Sequence, residues 1–144
     1  MCIRDRGIAG NINQASAIPG IPKIAMVSHS SNTVTLSAET VRQDDCDLVI
    51  RMISVGQPHR AIPVTGALCT AVAARIEGTL VNQLTKTRSI ERSIRIAHPS
   101  GVIDVNADVA QQNGSWHSRS ASIERTARRL MDGNVYVSTP DSDG

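Results

Sequence analysis

The stretch HRAIPVTGALCTA, residues 59–71, combines residue types suited to chemistry at useful spacing. His59 and Arg60 lie in a segment, residues 54–63, that holds Gly56, Pro58 and Pro63 and is incompatible with regular structure. That segment runs into a helix opening at Thr65, Gly66 and Ala67. The first turn of a helix leaves backbone N–H groups without intrahelical partners and carries partial positive charge. Gly66 allows close approach to the backbone, and Arg60 adds a fixed cation, so this start suits a carboxylate. The imidazole of His59 suits acid or base work. The competing reading is an ordinary helix capped by Thr65, with His59 and Arg60 on the surface.

HPSG, residues 98–101, is the second motif. Pro99 and Gly101 shape a turn from which His98 and Ser100 could project polar groups, although a plain hairpin turn accounts for the residues equally well. The three cysteines, Cys2, Cys46 and Cys69, fall in no CxxC or Cys/His ligand spacing, so no metal is expected. Cys69 lies one turn inside the helix in an apolar stretch and reads as packing. Cys46 stands among Asp44, Asp45 and Asp47, whose charge raises a thiol pKa. His29 and His117 are isolated in polar stretches. Arg125, Arg128 and Arg129 form a basic cluster that reads as a solvated face or as ion pairs with Glu124 and Asp132.

The elements that position these residues follow from periodicity. Residues 22–28 (PKIAMVS) read as a buried strand, and 33–36 and 47–53 (DLVIRMI) also read as strands. Residues 66–76 read as a helix ended by Gly78. It is apolar on nearly every face, so other structure must wrap it. Residues 93–97 and 102–109 read as a hairpin around HPSG. In the second run Ile103, Val105, Ala107 and Val109 face one way and Asp104, Asn106 and Asp108 the other. Residues 111–118 read as a polar loop, 120–130 as strand or helix, and 134–138 as a closing strand. Several strands and one apolar helix, about residues 65–77, imply an α+β fold of mostly antiparallel strands wrapped around that helix.

Length and composition bound the rest. The chain has 144 residues, the size of one domain, with 40% hydrophobic and 19% charged residues, as a folded chain requires. One Trp, one Tyr and no Phe leave the core to Val, Ile, Leu and Ala. A net charge of +2, no basic block and few rings for stacking argue against nucleic acid. No apolar run approaches the roughly 20 residues that span a bilayer, so no membrane partner is expected. Unpatterned thiols and no signal-peptide core point to the cytoplasm. Residues 1–6, MCIRDR, fit no following element and read as a non-native leader. Residues 7–17 read as a linker or frayed start, and 139–144 as a disordered tail.

Five pieces in order, PKIAMVS, RMISVGQPHRA, TGALCTAVAARIEGT, IRIAHPSGVIDV and RTARRLMDGNVYV, resemble the C-terminal half of the 2-methylaconitate cis-trans isomerase and 4-oxalomesaconate tautomerase family. The resemblance covers roughly residues 18–138. It implies a diaminopimelate-epimerase-like fold of two lobes, each with strands around a central helix. The active site lies where the two helix starts face each other. This chain is then the C-terminal lobe, and its missing N-terminal lobe is its partner. The implied reaction is a cofactor-independent shift of a proton and double bond in an unsaturated tricarboxylic acid, with a di- or tricarboxylate as ligand. The implied substrate-binding set is His59, Arg60, Thr65, Gly66, Ala67 and Ser100, with His59 as an acid/base candidate. Thr65 and Gly66 stand where the epimerase relatives place a catalytic Cys-Gly pair, so the base is expected in the other lobe and this lobe alone should be inactive. The alternatives are a non-catalytic carboxylate-binding domain of the same fold, or a fragment with no function of its own.

Overall fold

Runs of β-branched and aliphatic residues favour extended backbone, and their alternation decides which side faces a core. The computed structural model describes residues 10–11, 13–14, 23–54, 56–87 and 89–136. Residues 1–6, expected as a leader, residues 139–144, expected as a tail, and most of 7–17 lie outside the described residues. The strands are β1 (Ile24–His29), β2 (Thr33–Val34), β3 (Thr40–Val41), β4 (Leu48–Ser54), β5 (Gln57–Pro58), β6 (Ile94–His98), β7 (Gly101–Gln112) and β8 (Ser115–Ile123). Two helices, α1 (Val64–Arg75) and α2 (Leu80–Leu84), lie between β5 and β6.

The main sheet has the order β1-β4-β6-β7-β8, with β5 paired to the end of β4; β2 and β3 form a separate ribbon. Every pair is antiparallel except β4 with β6, which run parallel. A parallel pair needs a crossover, which the segment containing α1 and α2 supplies. Both strands therefore run toward the same edge of the sheet, with Leu48 beside Ile96 and Val49 beside Ala97, so that β4 extends beyond the end of β6.

Leu48, Ile50 and Met52 of β4, Ile94 and Ile96 of β6, and Val105 and Ala107 of β7 make one buried face. Against it lie Ala67, Ala71 and Ala74 of α1, spaced to share one helix face. Each large aliphatic buried there contributes about 2 kcal/mol, and the alanines let the helix sit close to the strands. Val41, Cys46, Val49 and Ala97 form a smaller cluster on the other side. The opposite flank of α1 is open: Leu68, Cys69, Val72 and Ile76 line an apolar depression. Cys69, expected as packing, is exposed. Cys46 is fully buried, and burial, more than its acidic neighbours, pushes its thiol up.

Residues 111–118 are not a polar loop. β7 runs on to Gln112, and Asn113 and Gly114 turn it into β8 with φ of 50° and 78°. Positive φ at both residues is the geometry of a two-residue type I′ hairpin, for which Asn-Gly is well suited. Strand β1, expected as buried, is exposed at every residue except Val27. Among the described residues regular structure ends at Ile123. Residues 124–136 hold no strand, so a closing strand does not begin at Asn134, and 137–138 lie outside the described residues.

Candidate functional site

The site forms where the carboxyl ends of β4 and β6 meet the start of α1. After Ser54 the chain doubles back through β5, and the His59 N–H donates to Met52 O at 2.7 Å. That bond fixes the loop carrying His59 and Arg60 against β4. The HPSG turn closes on the same loop, because the Ser100 hydroxyl donates to the Arg60 carbonyl. Arg60 is exposed. The His59 ring turns inward, and its Nε2 is enclosed without a partner among the described residues.

Helix α1 begins without help from any side chain. Pro63 is its cap residue and makes no side-chain cap bond, and the first turn holds no acidic residue. The first intrahelical bond runs from the Ala67 N–H to Pro63 O at 2.9 Å. The N–H groups of Val64, Thr65 and Gly66 thus precede the ladder, as the geometry of a helix start requires. Two cations stand close by, since Lys23 Nζ lies 3.4 Å from Thr65 Oγ1 and Arg60 is in the adjoining loop. A positive helix end with cations nearby and no acidic residue in its first turn suits an anion.

Three expectations are corrected here. Thr65 is not the cap but a residue of the first turn, where its hydroxyl meets Lys23. Ala67 is fully buried and its N–H is taken by Pro63, so it offers a ligand nothing. Gly66 is buried, and its missing side chain makes room for Met52, whose Cε would stand 2.6 Å from an added Cβ. Glycine here accommodates the flexible end of Met52.

A cavity of about 390 Å³ adjoins the helix start, lined by Ile62, Val64, His98, Asp104, Glu124 and Arg125 among others. Sequence patterning left His98 as a turn residue and gave Lys23 no role. His98 continues the inward series Ile94, Ile96, a signal legible in the sequence; Lys23 lies 42 residues from Thr65 and left none. Burial, with Arg51 nearby, pushes the His98 ring below its ordinary value. Burial, then the charge of Glu124, pushes Asp104 up. Of the remaining candidates, His29 Nδ1 lies 3.2 Å from Leu84 O, His117 is an exposed residue of β8, and Arg129 pairs with Asp132 at 3.2 Å. Among the described residues no group of three His, Cys, Asp or Glu side chains could hold a metal, and no helix is long and apolar enough to cross a membrane.

The family described as PrpF protein matches residues 2–138. The chain is 38% identical over 134 residues to the 2-methyl-aconitate isomerase of Shewanella oneidensis, covering 93% of this chain and 34% of that protein. It is 39% identical over 138 residues to the 3-methylitaconate isomerase of Eubacterium barkeri, covering 94% and 35%. The 4-oxalomesaconate tautomerase of Pseudomonas putida is 27% identical over 129 residues, covering 89% and 30%. A crystal structure of methylitaconate-delta-isomerase superposes with a TM-score of 0.75 at 38% identity, covering 92% of this chain and 34% of that one. The chain therefore spans about a third of the length of these relatives.

Proposed function

The chain belongs to the PrpF protein family, and on that premise we propose that it supplies the carboxylate-holding side of an isomerase that moves a proton and a double bond in an unsaturated di- or tricarboxylic acid. The relatives' names set the substrate class: methylaconitate, methylitaconate and oxalomesaconate. The observation that carries the reading is the uncapped start of α1 beside Lys23 and Arg60.

Removing a proton from carbon next to a carboxylate pushes an electron pair onto the carboxylate oxygens. Fixed donors and cations aimed at those oxygens stabilise that charge as it develops. The N–H groups of Val64, Thr65 and Gly66 and the charges of Arg60 and Lys23 serve here. The proton returns to another carbon of the same acid, so electrons balance within the substrate and the reaction calls for no redox cofactor. His59 stands at the loop as an acid/base group. The base that begins the reaction belongs to the N-terminal lobe that we assign to the rest of the protein, in the cytoplasm, and this chain by itself is inactive.

The test uses the full-length gene product. It should isomerise one of these acids without added cofactor and exchange substrate protons with deuterated water. Arg60→Ala should lower kcat/KM by about tenfold, the loss of one charge-assisted hydrogen bond. Unchanged kinetics in both His59→Ala and Arg60→Ala would remove the site assignment. Carboxylate binding without proton exchange would leave a binding domain instead.

A further inference from the structure

We infer that His98 touches the substrate, its Nε2–H donating to an oxygen of the carboxylate held at the start of α1. This rests on the function proposed above and adds a residue to that site. Alternation along β6 points residues 94, 96 and 98 to the helix side of the sheet. Ile94 and Ile96 are fully buried there, and His98 is 7% exposed. An aliphatic residue would complete this row, and a polar ring at such depth is costly unless its nitrogens are bonded.

One nitrogen is bonded. The backbone N–H of Ser100 donates to His98 Nδ1 at 3.1 Å. A nitrogen that accepts a hydrogen bond carries no proton, so the neutral ring holds its proton on Nε2. Nε2 makes no hydrogen bond among the described residues, and the ring borders the cavity beside Val64. Burial and the charge of Arg51 favour the neutral ring. Ser100 sets both sides of this arrangement: its N–H orients the ring while its hydroxyl ties the Arg60 loop.

The tautomer decides the role. With its proton on Nε2 and Nδ1 engaged, the ring is a hydrogen-bond donor and not the base that takes the carbon's proton. A neutral donor aimed at a carboxylate oxygen strengthens as charge builds there. Asp104 and Glu124 line the same cavity and repel an anion, and Arg125 offsets part of that repulsion.

The experiment is carried out on full-length protein. With ¹⁵N-labelled histidine, the NMR signals of His98 should show Nε2 protonated and Nδ1 bare. Adding tricarballylate, a saturated tricarboxylate that cannot isomerise, should shift the Nε2–H signal. His98→Ala should lower kcat by about 100-fold with little change in KM, and His98→Gln, which restores an N–H donor, should recover about tenfold of that. A proton on Nδ1, or no shift with tricarballylate, would overturn the inference. So would a folded His98→Ala variant within about twofold of wild-type kcat. If the unaltered protein isomerises none of these acids, the proposed function fails, while the tautomer and the tricarballylate shift still decide the place of His98. If His98→Ala does not fold, His98→Gln and the wild-type spectrum decide it.

Discussion

The parallel strands β4 and β6 carry a polar cluster at each end, and the two clusters are built on opposite principles. At the amino ends, Asp47 is saturated. Its Oδ1 accepts from Thr87 Oγ1 at 2.9 Å and Arg95 Nη2 at 3.2 Å, and its Oδ2 from the Arg95 N–H at 2.8 Å and Arg95 Nε at 3.2 Å. At the carboxyl ends, His98 Nε2 and the N–H groups opening α1 have no partner among the described residues, Lys23 meets only the Thr65 hydroxyl, and Arg60 is exposed. A buried polar group with every partner filled serves the fold, whereas groups held in place without partners mark where a ligand is received.

The largest expected effect falls at the saturated end. Asp47→Ala leaves Arg95 without its partner and should cost about 3 kcal/mol in urea unfolding, the low side for a buried pair because Arg95 is partly exposed. Kinetics of the folded fraction should be unchanged; a selective loss of kcat would break the contrast between the two ends. The same pair predicts a pH dependence. Burial alone would raise the Asp47 carboxyl, but hydrogen bonds from Arg95 and Thr87 outweigh it and hold it below its ordinary value. A depressed folded value gives stability that is complete above the unfolded value of about 4 and is lost as pH falls through the folded one. Stability curves from pH 7 downward should show that loss, and Asp47→Asn should flatten it.

Gly66→Ala tests the boundary between packing and site. Its Cβ would collide with Met52, and the overpacking should cost about 2 kcal/mol. Combined with Met52→Ala, the loss should be smaller than the sum of the two single variants. Additive losses would mean that Gly66 is not there for Met52. Ala at Gly114 forces positive φ on a residue with a side chain and should cost about 1 kcal/mol with activity intact. The smallest effect on stability belongs to Ser100→Ala. It keeps the backbone N–H on His98 but frees the Arg60 loop, so kcat/KM should fall about fivefold with the melting temperature nearly unchanged.

The sequence was legible where burial imposes a period. Leu48, Ile50 and Met52 alternate because one side faces α1, and Ala67, Ala71 and Ala74 recur because one side of the helix faces the strands. Where burial is absent the period vanishes: β8 is exposed along nearly its whole length, so its polar residues read as a loop. Asn113-Gly114 was the signal that could have revealed the hairpin. The break before His59 and Arg60 was legible from its prolines, but residues 54–63 are not wholly irregular as expected: Gln57 and Pro58 pair with the end of β4 as β5. That Gly66 serves Met52 was not legible, because glycine suits a tight packing contact and a bound ligand equally well. The parallel pairing of β4 with β6, which brings His98 to the helix start, depends on a crossover that no local window contains.

The central claim, that a carboxylate is received at the start of α1, is tested most directly by amide chemical shifts in the full-length protein titrated with tricarballylate. The backbone N–H signals of Val64, Thr65 and Gly66 should move together and saturate, while those of Asp47 and Arg95 stay in place. Signals at 64–66 that remain fixed while the acid binds elsewhere would contradict it.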